Sequence, residues 1–251
     1  MRAGSTDALI KLADGLDSQR ITLESSPVGL GAIKGVPDAL ASEAFRCFSK
    51  LDDRLNETAV AAVLRTAAEI REVERLDSPK VEVTWTGPDA EGPLVTDSTS
   101  AIERCLEECR DTGEVLLVGY SLTVAKNSAM ERIIELLVDA SRRRAKIQVV
   151  LHKDDENKNK NELMKHWDKF VSKPQIYTWD PPADHPYTKL HAKCLVVDRL
   201  QMIVTSANFT FHGLESNIEL GLLVRNQRLA TAVHERFDHL MNAGVLRQWK
   251  D

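Results

Sequence analysis

The chain predicts an α/β sandwich with a mixed β-sheet, preceded by a small helical region. Three observations carry this. From about residue 80 to the end, short apolar runs alternate with amphipathic stretches of helical period, the pattern of a sheet covered by helices. Before residue 77 the period is helical only. Between the two stands Asp77-Ser-Pro79, where proline cannot extend a helix and biases its predecessor towards extended backbone. The expected organisation is therefore a helical N-terminal region, 1–77, and an α/β domain, 78–251.

In the first region the clearest segment runs from Asn56 to about Glu74, with Val60, Val63, Leu64, Ala67 and Ala68 as its apolar stripe and Asn56 as its cap. Earlier helical pieces are broken at Ser25-Ser-Pro27, Gly29-Leu-Gly31 and Gly35-Val-Pro37. A small bundle and a helix-turn-helix-like adaptor both fit this pattern.

In the second region Val81–Trp85 reads as a strand, followed by a Gly/Pro-rich loop over 87–93. Ser100–Arg110 reads as a helix with Ile102, Cys105, Leu106 and Cys109 inward and Ser100/Glu103 as a capping box. Glu114–Tyr120 is a buried strand. Ser128–Arg144 is a second helix, with Ser128/Glu131 repeating the capping signal. Lys146–His152 is a strand and 160–171 a helix. Gln175–Trp179, Lys189–Val197, Gln201–Thr205 and Ile218–Val224 are strands, and Gln227–Ala243 is a closing helix. The loops 87–97, 121–127 and 180–188 are expected to wall a cleft.

Composition bounds the function. The 251 residues are 43% hydrophobic, enough for a real core, but no run approaches the ~20 apolar residues of a membrane span. Met1–Asp7 lacks an apolar signal region, so a soluble, cytoplasmic protein without membrane insertion is expected. Cys47, Cys105, Cys109 and Cys194 form no Cys-x-x-Cys and no disulfide framework, and no histidine completes a metal set with Cys105 and Cys109; no metal or cofactor is expected. The net charge is −5, but residues 142–173 hold 10 basic and 5 acidic residues. That window, with Arg142, Arg143 and Arg144 at its start, would guide a polyanion; equally, the arginines would complement a helix C-terminus.

The residues that carry chemistry lie in Lys189-Leu-His-Ala-Lys-Cys-Leu-Val-Val-Asp198 and shortly after it. Period two along a strand puts His191 and Lys193 on one face, with Leu190, Ala192, Cys194 and Val196 on the other. Lys193 supplies a point charge for a phosphodiester's non-bridging oxygens, and Ser206 and Asn208 add neutral hydrogen bonds. A neutral imidazole attacks phosphorus when a carboxylate fixes its tautomer, and Glu219 is the candidate for that carboxylate. Asp198 has the other parity and is expected to organise the turn. Asn217 and Lys189 are secondary candidates, and His185 and His212 are expected to be bystanders.

This set resembles the phospholipase D superfamily, whose mark is the His-x-Lys-x4-Asp motif with a downstream Ser-x-Asn and an Asn-x-Glu. Thr205 stands where many members carry glycine, which implies a different turn. Trp85-Thr-Gly-Pro88, the N-terminal region and the length resemble, more narrowly, the phospholipase D-like proteins associated with DISARM, a prokaryotic anti-phage defence system. The resemblance implies that residues 78–251 form a catalytic domain. It also implies a mechanism with two histidines, one attacking phosphorus to give a phosphohistidine, the other protonating the leaving oxygen and then activating water. The chain has seven histidines but a single His-x-Lys; His152-Lys153 lacks the spacer, and the 189–224 pattern is not repeated. A homodimer with both motifs facing one cleft is therefore expected.

Three functions follow as expectations. The first is a metal-independent phosphodiesterase on nucleic acid, most simply a nuclease on DNA, with other defence-system proteins as partners. The second is a phospholipase or phosphatidyltransferase acting on lipid headgroups. The third is a nucleic-acid-binding assembly component with little turnover.

Overall fold

Asn56 accepts a hydrogen bond from the Ala59 amide at 2.9 Å and so opens the longest of the described helices. The computed structural model describes residues 6–249 apart from 53, 89–94, 155, 182, 183 and 186, and only the backbone of 75–77. Two compact units divide it, Met1–Ser78 and Pro79–Asp251. Among the described residues no helix is long and apolar enough to cross a membrane.

The first unit holds α1 (Thr6–Asp17), α2 (Pro27–Gly31), α3 (Asp38–Phe48) and α4 (Glu57–Asp77). Leu12, Leu16, Leu30, Phe48 and Val60 share its core. Arg65 on α4 reaches Asp14 and Asp17 on α1 at 2.7 and 2.9 Å. The expected stripe of α4 needs one correction. Val60, Ala61 and Ala68 are buried, whereas Val63 is 66% exposed, because the buried face runs through Val60, Ala61, Leu64 and Ala68 and turns Val63 outward. Nor is Gly29-Leu-Gly31 a break. Ser26 caps a short helix starting at Pro27, and both glycines lie inside it.

The second unit is built on one nine-stranded mixed sheet. Its strands are β1 (Lys80–Thr86), β2 (Thr96–Asp97), β3 (Glu114–Gly119), β4 (Lys146–His152), β5 (Gln175–Trp179), β6 (Cys194–Val197), β7 (Gln201–Thr205), β8 (Glu219–Arg225) and β9 (Leu246–Gln248). They are ordered β2-β1-β8-β7-β6-β3-β4-β5-β9. The links β3–β4 and β4–β5 are parallel, whereas β6 is antiparallel to both its neighbours.

Helices α5 (Ser98–Glu107) and α6 (Ala129–Arg142) pack with one face of the sheet; α7 (Lys158–Met164) precedes a 3-10 turn at Trp167–Lys169; and α8 (Gln227–Asn242) serves the other face. Ser128 Oγ accepts from Glu131 N at 3.3 Å, while the Glu131 carboxylate accepts from Asn127 N at 2.6 Å, a capping box displaced by one residue. The expected Ser100/Glu103 box does not open its helix. Asp97 caps it instead, accepting from Ser100 N at 2.7 Å, and the helix ends at Glu107, before Cys109. Strand β6 is also shorter than Lys189–Val197, which matters for the site.

Candidate active site

Strand polarity gathers the motif at one end of the sheet. Val118 of β3 pairs with Cys194, Cys194 with Val204, and Thr205 with Gly221. The start of β6, the ends of β3 and β7 and the start of β8 therefore lie together, where parallel strands present their carboxyl ends. His191 and Lys193 are not on a strand. They lie in the extended lead into β6, which keeps one ladder bond, from Thr205 N to Lys193 O at 3.1 Å. The expected division of faces holds for Leu190, Cys194 and Val196, which pack together; Ala192 is exposed.

The two motif side chains meet. Lys193 Nζ stands 3.1 Å from both ring nitrogens of His191 and 3.0 Å from its carbonyl oxygen. Lys193 is only 5% exposed, while His191 is exposed. Burial lowers the Lys193 pKa from its usual value, against the opposing pull of Glu219. Glu219 does not fill its expected place beside the imidazole. One carboxylate oxygen accepts from Ser206 Oγ, and the other from Asn217 Nδ2 at 3.0 Å. Ser206 Oγ in turn accepts from Leu220 N at 3.1 Å. The carboxylate thus organises the Ser206 turn, and its connection to the motif runs through charge on Lys193.

Thr205 accounts for its own substitution of glycine. Its hydroxyl accepts from Ala207 N at 3.0 Å, closing the turn that presents Ser206. Asn208 follows, with its amide oxygen buried and lacking a hydrogen-bond partner among the described residues. Gly213 packs on its backbone, where a Cβ would come within 2.3 Å of Asn208 O. The loop 121–127 runs beside Asn208, with Phe209 N donating to Ser121 O at 3.1 Å and Thr123 N to Phe209 O at 3.0 Å. In the other two expected walls, residues 89–94, 182, 183 and 186 lie outside the described residues.

Asp198 stands at the turn, as its parity implied. Asp198 and Arg199 have φ of 54° and 55°, the left-handed pair of a mirror-image turn, closed by Leu200 N to Val197 O at 3.0 Å. The buried carboxylate accepts from Arg110 N at 2.8 Å and Glu114 N at 2.9 Å. Gly113 permits this approach, since a Cβ there would fall 2.1 Å from Asp198 Oδ1.

Two residues beside the motif, Tyr120 and Asn159, escaped the sequence reading. Tyr120 stacks on His152 with centroids 4.8 Å apart and meets His191 at 5.1 Å. Asn159 holds both strand ends: its Nδ2 donates to Tyr120 O and His152 O at 3.0 Å each, and its Oδ1 accepts from Leu122 N at 2.8 Å. Beyond His191 lies a groove of about 460 Å³, lined by Lys189, Trp179, Phe237, Leu240 and Leu246 among others. His212 bonds Ser216 at 3.0 Å, and His185 lies 3.6 Å from Asp184.

Other chemistries find less support. Burial pushes the Cys105 and Cys194 thiols up to about 12 and the Cys109 thiol to about 11, which keeps them from serving as thiolates. Many cations of the 142–173 window have local partners. Arg142 pairs with Asp139 at 2.6 Å, Lys153 with Asp180 at 2.9 Å, and Lys173 donates to two carbonyls. Arg143 closes α6 through its backbone N–H, and its guanidinium donates to Leu106 O and Cys109 O at 3.4 Å each, at the end of α5.

Fold and site together define a phospholipase D-type α/β protein. The chain belongs to the phospholipase D-like family: residues 103–241 match the family described as cardiolipin synthase, PLD-like domain. Among curated proteins it is similar to the DISARM protein DrmC of Bacillus paralicheniformis, with 23% identity over 149 residues. That match covers 59% of this chain and 58% of the relative's length. Among solved structures it is similar to Nuc, a phospholipase D family member from Salmonella typhimurium, with a TM-score of 0.50 and 19% identity. That alignment covers 69% of this chain and 100% of the other, and at this identity the likeness is one of fold.

Proposed function

We propose that this protein is a metal-independent phosphodiesterase that works through a phosphohistidine and acts on nucleic acid, most simply as a nuclease on DNA within an anti-phage defence system. The observation that carries the reading is the exposed His191 imidazole held 3.1 Å above the buried Lys193 ammonium, at the sheet end that also presents Ser206 and Asn208. Lys193 and Asn208 Nδ2 bind the phosphoryl oxygens, joined by Ser206 once its hydroxyl proton turns from Glu219 to the phosphate. A His191 ring nitrogen attacks phosphorus, and the P–O bond to the leaving group breaks. His191 of a second copy gives that oxygen its proton, then takes one from water, which displaces the first imidazole and regenerates both. Glu219, fixed by Asn217, positions Ser206, and its charge supports the cationic intermediate through Lys193. Asp198 supports from the turn. The nucleic-acid choice and the defence setting, with other defence proteins as partners, draw on the resemblance to the DISARM relative.

The test is cleavage of labelled single- and double-stranded DNA in EDTA, followed by trapping of protein-bound label on denaturing gels at neutral to alkaline pH, where a phosphohistidine survives. Wild type should cut and trap label on His191, and His191→Ala should do neither. Cutting that persists in the variant overturns the proposal. A second reading, phosphatidyl transfer, is favoured by the apolar groove beside His191. Headgroup release from vesicles with DNA left intact would select it.

A further inference from the structure

His191 faces two ways. It meets Lys193 on the phosphate side, and it also lines the groove of about 460 Å³ that runs towards β9. Trp179 at the end of β5 and Leu246 of β9 are register partners and form one wall of that groove. Phe237 and Leu240, three residues apart on α8, form another. Trp179 is half-buried, and its ring has no aromatic partner among the described residues. Lys189 lines the same groove and is exposed, and its ammonium has no hydrogen-bond or ion-pair partner among the described residues. Next in the chain to two of the groove residues stand Asp180 and Arg247. The Asp180 carboxylate is shared by Lys153 at 2.9 Å and Arg247 at 3.4 Å, two cations on one anion. Asp184, the other carboxylate of loop 180–188, lies 3.6 Å from His185. The groove is thus apolar within and cationic on balance at its border.

We infer that this groove takes the base of an unpaired nucleotide whose phosphate lies at His191, with Trp179 as its stacking surface and Lys189 on the neighbouring phosphate, an inference that rests on the proposed function for the phosphate at His191. Because His191 belongs to both the phosphate site and the groove, a phosphodiester held for attack leaves its own base beside these walls. Every base has a π-face, so an indole and apolar side chains hold it without reading its identity. Apolar walls alone would suit an acyl chain equally. Lys189 chooses between them. A polynucleotide brings a further phosphate one nucleotide along, which an unpaired ammonium two residues from the nucleophile meets, whereas a phospholipid with a single phosphodiester has that group at His191 and nothing for Lys189. A base inside a duplex is paired and stacked, and would have to be unpaired before it entered the groove. The substrate class that fits is therefore single-stranded nucleic acid.

The test gives the full-length wild type three DNA substrates: a single strand, the same strand with one residue replaced by a stable abasic analogue, and the duplex. One of the two bonds flanking the abasic residue should be cut about tenfold or more slowly than in the intact strand, the scale of losing one stacked base. The duplex should be cut more slowly by at least as much. Equal cutting of all three overturns the inference and leaves the phosphodiesterase standing. Trp179→Leu keeps the wall apolar without the ring and should bring the ratio of intact to abasic cutting close to one, while Trp179→Phe should keep most of it. A folded Trp179→Leu protein that still discriminates about tenfold overturns the assignment to this groove; should that variant fail to melt cooperatively, the wild-type ratios and Trp179→Phe decide. Binding separates the two proposals. If the wild type cuts no DNA, its affinity for oligothymidylate against the same chain of abasic residues, read by fluorescence anisotropy, still reports on the groove. A preference of about tenfold keeps the base site and removes the activity, and equal affinities overturn the site. Headgroup release from phosphatidylglycerol vesicles that falls in Trp179→Leu, with no base preference in wild type, gives the groove to an acyl chain and likewise overturns the inference.

Discussion

Lys193 keeps an ammonium 5% exposed, with two imidazole nitrogens and a carbonyl within 3.1 Å. Burial lowers its pKa, so the folded chain holds this proton less tightly than the unfolded chain. Folding therefore carries a cost below the folded pKa, and the cost is relieved as pH rises from that value towards the ordinary one. Lys193→Met should lower cleavage by about 10²–10³-fold, the scale of losing one transition-state donor. It should also raise stability near pH 7 by about 1 kcal/mol, or 2–4 °C in melting temperature. The gap to wild type should narrow towards pH 10. Calorimetry at both pH values checks this, and a variant that melts below wild type at pH 7 would refute it. The His191–Lys193 contact was legible because two residues in extended backbone reach each other locally. The partners of Glu219, the Tyr120 ring and the Asn159 clamp were not, because chain closure between distant strand ends creates them.

At the scale of elements, the β6–β7 hairpin depends on one carboxylate. Asp198→Ala removes the acceptor of the Arg110 and Glu114 amides and leaves two amides without their acceptor beneath a left-handed turn. The expected loss is about 2–4 kcal/mol, read from urea unfolding; a change under about 0.5 kcal/mol would mean the turn holds itself. Arg199 from the same turn reaches Asp238 on α8 at 2.9 Å, and buried His234 lies 3.0 Å from the same carboxylate. Burial alone would raise the Asp238 carboxyl, but His234 and Arg199 together hold it below its usual value. A depressed carboxyl contributes stability above its unfolded pKa and loses it as pH falls through the folded one. The stability gap between wild type and Asp238→Asn should therefore be full near pH 6 and close as pH falls below the ordinary carboxylate range, measured by thermal melts. Strands β4, β5 and β7 were legible end to end because their neighbours run alongside. The expected strand from Lys189 shrank because β3 stops at Gly119 and β7 at Thr205, leaving 189–192 with no ladder to join. Strands β2 and β9, of two and three residues, are too short to show a period.

On the scale of the whole molecule, the proposed chemistry needs two imidazoles, and the motif supplies one per chain. Inside the chain, Tyr120 contacts both His191 and His152, so a self-sufficient site would draw on His152. Mixed dimers separate the two arrangements. Wild type and His191→Ala, co-refolded at fixed total concentration, should cleave in proportion to the square of the wild-type fraction if a cleft works only with both copies of His191. An equal mixture then retains about one quarter of wild-type activity, the share of dimers with two intact chains. A self-sufficient chain retains about one half, and the dependence is linear. A linear result would move the second proton-transfer role to His152, and His152→Ala would then abolish turnover, while a substrate whose leaving group needs no proton would still label His191. A quadratic result ties the rate to the dimer, so cleavage should also fall on dilution along the same curve as the sedimentation coefficient. Agreement between those two curves is the stricter condition, because an inactive dimer or an active monomer would each break it.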